Sequence, residues 1–139
     1  MKLDVLDRSN YLKGLLVLIS KDKKISENES NFIMSVGKLL GFDKEFCQEA
    51  IETLLENEYI SQEPPVFSSR EFARSFIEDG ISVAITDNNF DGLEISYLES
   101  IADKNQVDED WLSHQLKTAK LIEKNSRFDI PHLSVKKHL

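Results

Sequence analysis

Apolar residues recur at three- and four-residue spacing along almost the whole chain. Leu12, Leu15, Leu16 and Ile19 make one such set, Phe32, Ile33, Val36 and Leu40 a second, and Phe46, Ala50, Ile51 and Leu54 a third. Three more follow: Phe72, Ala73, Phe76, Val83 and Ala84; Leu98, Ile101 and Ala102, continued by the polar Asn105; and Leu112, Leu116 and Ala119. This spacing puts each set on one face of an α-helix, and no sustained stretch shows the period of two that a half-buried strand requires. The pattern predicts an all-α fold, a compact bundle of about six helices.

Polar residues ahead of each stripe mark where the helices start. Ser26 with Glu29, Ser68 with Glu71 and Asp91 with Glu94 have the spacing of a capping box, in which two side chains satisfy free backbone N–H groups reciprocally. Asp43 and Asp108 stand where simple caps are needed. Helices are therefore expected near 8–21, 26–40, 43–57, 68–86, 91–104 and 108–124. Between the third and fourth, "SQEPPVFSS" contains Pro64 and Pro65, which lack backbone donors and hold their neighbours extended, so this stretch reads as a connector. After Asn125 the helical pattern stops and Pro131 stands against a helix. Disorder is the expectation beyond Leu133, with Lys136 and Lys137 in solvent.

Shifted by 65 residues, the first half aligns with the second without a gap. Asp22 meets Asp87, Ser26 meets Asp91, Glu29 meets Glu94, Phe42 meets Val107, Asp43 meets Asp108 and Phe46 meets Trp111. Each unit reads as helix, acidic turn, helix, short turn, helix, and neither could bury its apolar stripe alone. One domain over 1–139 is expected, with a first repeat at about 8–57, a connector at 58–67, a second repeat at about 68–124 and a tail at 125–139. The two three-helix repeats should be related by a pseudo-twofold axis.

Length and composition agree with a single core. A chain of 139 residues buries roughly 68–70% of the surface its unfolded form exposes. Its longest apolar run, "LLVLI" at 15–19, is far short of the roughly 20 residues that cross a bilayer. The single cysteine, Cys47, forms no intrachain disulfide, and no secretory leader pattern opens the sequence, so the cytoplasm is the expected location. A net charge of −8 argues against nucleic acid, whose phosphates are bound by Lys and Arg. It suits a cation or a basic protein partner, in a monomer or weak dimer without membrane insertion.

The stretch "TDNNFDGLE" at 86–94 carries three carboxylates and two side-chain amides, with neither Lys nor Arg. Capping and the helix dipole account for Asp91 and Glu94, whereas Asp87 lies near the end of the preceding helix, where an anion is disfavoured. Asp87, Asn89, Asp91 and Gly92 match the first, third, fifth and sixth positions of a calcium loop, but the twelfth is Leu98 and the eighth Glu94, so a full EF-hand is not present. A shorter calcium or magnesium site would use Asp87, Asn89, Asp91 and Glu94, with Asp22, Ser26 and Glu29 as a weaker counterpart beside Lys21, Lys23 and Lys24. A capped turn without metal explains the same residues.

No other chemistry stands out. His114, His132 and His138 are scattered, Cys47 reads as a small apolar residue, and no phosphate loop, nucleophile elbow or triad pattern occurs. No enzyme is expected. Trp111 and Tyr97 fall on core stripes, and Tyr59 with Ile60 beside the connector offer an anchor for a partner.

Over roughly residues 11–118, "DKKISENE", "LLGFD", "DNNFDGLE" and "NQVDEDW" resemble the turns of the TerB-like tellurite-resistance family. The resemblance implies a small helical bundle without catalytic activity, and metal binding by acidic turns in bacterial stress or tellurite-resistance systems. Where members often carry Asp-Gly in the turn, this chain has Asp22-Lys23 and Asp87-Asn88. The expected function is a non-catalytic module that holds a divalent cation at its second acidic turn and acts through protein contacts. The alternative is a metal-free scaffold whose acidic face docks a basic partner.

Overall fold

The computed structural model describes residues 2–21, 25–56, 63–86, 92–121 and 133–139. Six α-helices run in order: α1 (Val5–Ile19), α2 (Glu27–Leu39), α3 (Lys44–Glu56), α4 (Arg70–Thr86), α5 (Gly92–Lys104) and α6 (Glu109–Leu121). A 3-10 helix (Ser134–His138) follows, and no strand occurs among the described residues.

Local chemistry sets the helix ends. Asp4 starts α1 three residues earlier than expected, accepting a 2.8 Å bond from the amide of Asp7. Before α2 the full capping box forms: Glu29 N–H donates to Ser26 Oγ and Ser26 N–H to Glu29 Oε1. Asp108 accepts from Asp110 N–H at the start of α6. The capping box expected from Ser68 and Glu71 does not form. Ser69 caps α4 instead, accepting from Phe72 N–H at 3.3 Å, because Ser68 donates through both its amide and its hydroxyl to Asp7 on α1.

Two helices stop in the same way. After α2, Gly41 adopts a left-handed φ of 91°, and Phe42 N–H reaches back to Gly37 O at 2.8 Å. After α5, Gln106 takes a φ of 57°, and Val107 N–H reaches back to Ala102 O at 2.8 Å. Such a Schellman ending satisfies carbonyls that the helix leaves open. Arg8 adds its guanidinium to Leu40 O at 3.0 Å, placing positive charge at the negative end of α2.

The core is centred on α1, whose run from Leu15 to Ile19 is wholly buried, and on α4, which packs against α1, α5, α6 and the 3-10 helix. Glycines let α1 and α4 approach. A Cβ on Gly14 would stand 2.8 Å from the Phe76 ring, and one on Gly80 would stand 2.8 Å from Leu18. Tyr11 fills the crossing, its ring edge-on to Phe76 at 5.3 Å and to Phe67 at 5.8 Å. The connector is held by Asn105, which accepts from Phe67 N–H at 2.8 Å and donates to Pro65 O and Ile101 O. The expected disorder beyond Leu133 is corrected by the same packing. Leu133 and Val135 are buried on α4, and only Lys136 and Lys137 of the segment face solvent.

Candidate functional site

Of the residues nominated for a cation, Asp22, Asp87, Asn89 and Asp91 lie outside the described residues, as do Tyr59, Ile60 and His132. Ser26 and Glu29 are engaged in the capping box. Glu94 occupies the first turn of α5 and is buried, as Glu29 is in α2. One turn beyond Glu94, the ring of Tyr97 carries the ammonium of Lys21 at 4.7 Å from its centroid. A lysine assigned by sequence to the first turn thus places its charge on the second half. Among the described residues no three His, Cys, Asp or Glu side chains converge as metal ligands.

Two acids that looked unremarkable in the sequence are buried. Asp7 holds Ser68, as above. Asp79, on α4, accepts from Tyr11 Oη at 2.6 Å, from Ser134 N–H at 2.7 Å and from Val135 N–H at 3.1 Å. Burial pushes its carboxyl up to about 6, against the pull of those three donors, which favour the charged form. Glu78 beside it accepts from Ser134 Oγ, and His138 pairs with Ser75 Oγ at 2.7 Å and sits edge-on to Phe72. A buried acid with a displaced pKa is often catalytic. Here both oxygens are engaged and the side chain is only 2% exposed, so the group fastens the C-terminal segment and Tyr11 to α4.

Cys47 is buried, with its thiol raised first by that burial and then by Asp43. His114 is exposed on α6.

A groove of about 400 Å³ opens between α1 and α3, lined by Leu12, Leu16, Val17, Phe42, Phe46 and Ala50, with Ser9, Lys13, Glu49 and Thr53 at its polar positions. Phe46 was expected in the core, as part of the third apolar stripe. It is 51% exposed, stacked on Phe42 at 5.2 Å, while Cys47 and Ile51 carry the buried face of α3. The sequence signal for this was the double width of the α3 apolar stripe. The other half handles its aromatic differently: the guanidinium of Arg74 on α4 lies 5.6 Å over the ring of Trp111, which is half-buried.

No family model, curated protein or solved structure matches the chain.

The Asp79 geometry has a pH signature. An acid raised from 3.8 to about 6 on folding favours the folded state fully below about pH 4, and that contribution is lost as pH rises through 6. Replacing Asp79 with Asn removes the titration but also an acceptor for a backbone amide. The stability advantage of wild type over Asp79→Asn should therefore fall by on the order of 2–3 kcal/mol between pH 4 and pH 7.5, read from denaturant unfolding at each pH. An advantage independent of pH would show that Asp79 titrates as an ordinary exposed carboxyl.

Proposed function

We propose that the chain is a duplicated three-helix unit, similar to the TerB-like family, that works as a non-catalytic protein-interaction module. The helix register supports the duplication. Val5, Glu27 and Lys44 begin α1, α2 and α3, and Arg70, Gly92 and Glu109, each 65 residues later, begin α4, α5 and α6. The Schellman endings at Gly41 and Gln106 follow the same shift. A twofold relation makes contacts reciprocal. Tyr11 and Phe76 are equivalent and touch each other, and Tyr11 against Asp79 is the counterpart of Phe76 against Gly14.

The observation that carries the functional reading is the exposed Phe46 beside an apolar groove, on a chain of net charge −8. Exposed apolar ground rimmed by charge is the usual mark of a protein contact. The enclosed state of Asp79 supports an architectural use of an acid whose displaced pKa would otherwise suggest catalysis. The test is co-purification from the source cells with the full chain as bait, followed by reconstitution from the two purified proteins. A defined complex that weakens as salt rises from about 0.05 to 0.5 M is expected, because rim charges contribute screened attraction. A chain that reconstitutes no complex and turns over a substrate would contradict the proposal.

A second reading is a calcium or magnesium ion at Asp87, Asn89, Asp91 and Glu94, favoured by the burial of Glu94, which follows residues 87–91 in the sequence. A ligand bound only by the folded state raises its stability by mass action. Under this reading, millimolar metal raises the melting temperature of wild type and leaves Asp87→Asn/Asp91→Asn unmoved. Under the metal-free reading, both melts ignore metal and chelator.

A further inference from the structure

We propose that the groove between α1 and α3 receives an amphipathic, basic helix of a partner protein, and that an arginine of that helix stacks on Phe46. This rests on the interaction reading above and on the equivalence of the two halves. It names the surface and the chemistry of what covers it.

The internal copy shows what such an aromatic is covered by. Phe46 on α3 corresponds to Trp111 on α6, and the position on α4 that covers Trp111 is Arg74. Its counterpart on α1 is Ser9, an exposed residue at the edge of the groove. Serine is too short to reach the ring. One half therefore supplies its own guanidinium over the aromatic, whereas in the other Phe42 stacks on one face of the Phe46 ring and about half of the residue's surface is left in water. A guanidinium over an aromatic face is attracted by the ring's quadrupole, and more strongly as water is excluded.

Charge around the groove selects the same partner. Glu45, Glu49 and Glu52 lie four and three residues apart on α3, forming one exposed acidic stripe directly beside the stripe of Phe46, Ala50 and Thr53 that faces the groove. Among the described residues, Lys13 is the one basic side chain lining the cleft. On α1, Leu6, Ser9, Lys13 and Val17 share a face, so the 69% exposed Leu6 extends the apolar side of the groove by one turn. A trough flanked by a carboxylate row fits a helix with aliphatic anchors at i, i+3 and i+4 and with Arg or Lys along the flank nearest α3.

The probe is a fluorescein-labelled designed peptide of about 18 residues, long enough to hold helix in water, with leucines on one face and arginines along one flank. A second peptide has glutamates in place of the arginines. Binding to the full chain is followed by polarisation, and chain mass by light scattering. The arginine peptide should bind with a Kd of about 1–100 μM, and the glutamate peptide at least about tenfold more weakly. Two variants separate groove binding from general attraction to an acidic protein. Phe46→Ala leaves charge unchanged and should weaken the arginine peptide about tenfold or more. Ser9→Arg installs the guanidinium that the other half carries, and should weaken it similarly while preserving the helical circular dichroism.

Equal binding of the two peptides, no binding at about 1 mM, or variants that bind like wild type would each overturn the proposal. So would a wild-type dimer that Ser9→Arg returns to monomer, which would make a second copy of the chain the occupant. A reconstituted partner complex that ignores Phe46→Ala and Ser9→Arg would remove the groove while leaving the interaction reading in place. Absence of any partner complex, with the peptide still bound at the groove, would do the reverse.

Discussion

Tyr11 donates a hydrogen bond to Asp79 across the crossing of α1 and α4, and the rest of the bundle is arranged around that contact. Gly14 leaves room for the Phe76 ring and Gly80 for Leu18 where the two helices meet, and Phe67 and Phe76 close on the Tyr11 ring edge-first. Its hydroxyl, wholly buried, needs an acceptor, since an unpaired buried hydroxyl costs about 1–3 kcal/mol. Asp79 provides that acceptor and in turn needs donors of its own. The amides of Ser134 and Val135 supply them, which is why the C-terminal segment is folded onto α4.

The same logic, a buried or half-buried polar group seated on backbone outside the helices, recurs at the other joints. Asp7 fixes Ser68 ahead of α4, Asn105 holds both sides of the connector at Pro65 and Phe67, and Arg8 closes the end of α2. Each pairs a side chain on a helix, or in the turn that ends one, with backbone of the proline-containing connector or of a helix end. Asp7 and Asp79, both buried, are thereby engaged in architecture. Phe46 is left on the outer surface, where α1 and α3 part.

Periodicity carried most of the fold. The six helices fall within a few residues of their expected limits because their apolar stripes and caps are local signals, complete within one or two turns. Apart from the early start of α1, which the local cap at Asp4 explains, the main departures involve partners distant in sequence. Ser68 has the right spacing to cap α4, and only the approach of Asp7 from α1 moves the cap to Ser69. The tail looked unpatterned because its order depends on a carboxylate 55 residues away. Phe46 with Ala50 and Cys47 with Ile51 form adjacent apolar rows on α3, and no local rule says which row meets the core. Of the candidate cation residues, the sequence correctly paired Ser26 with Glu29 as a cap. It had no means of foreseeing that Lys21 would lie on Tyr97, because that contact joins the two halves.

Asp79 fastens the C-terminal segment to α4 through the amides of Ser134 and Val135. Native-state amide hydrogen exchange tests it most directly, since it reads the two amides that the carboxylate accepts from. In wild type, Ser134 and Val135 should exchange far more slowly than an unstructured segment. In Asp79→Ala they should exchange freely while Leu15–Ile19 of α1 stay protected. Free exchange of both amides in wild type, or undiminished protection in Asp79→Ala, would contradict it.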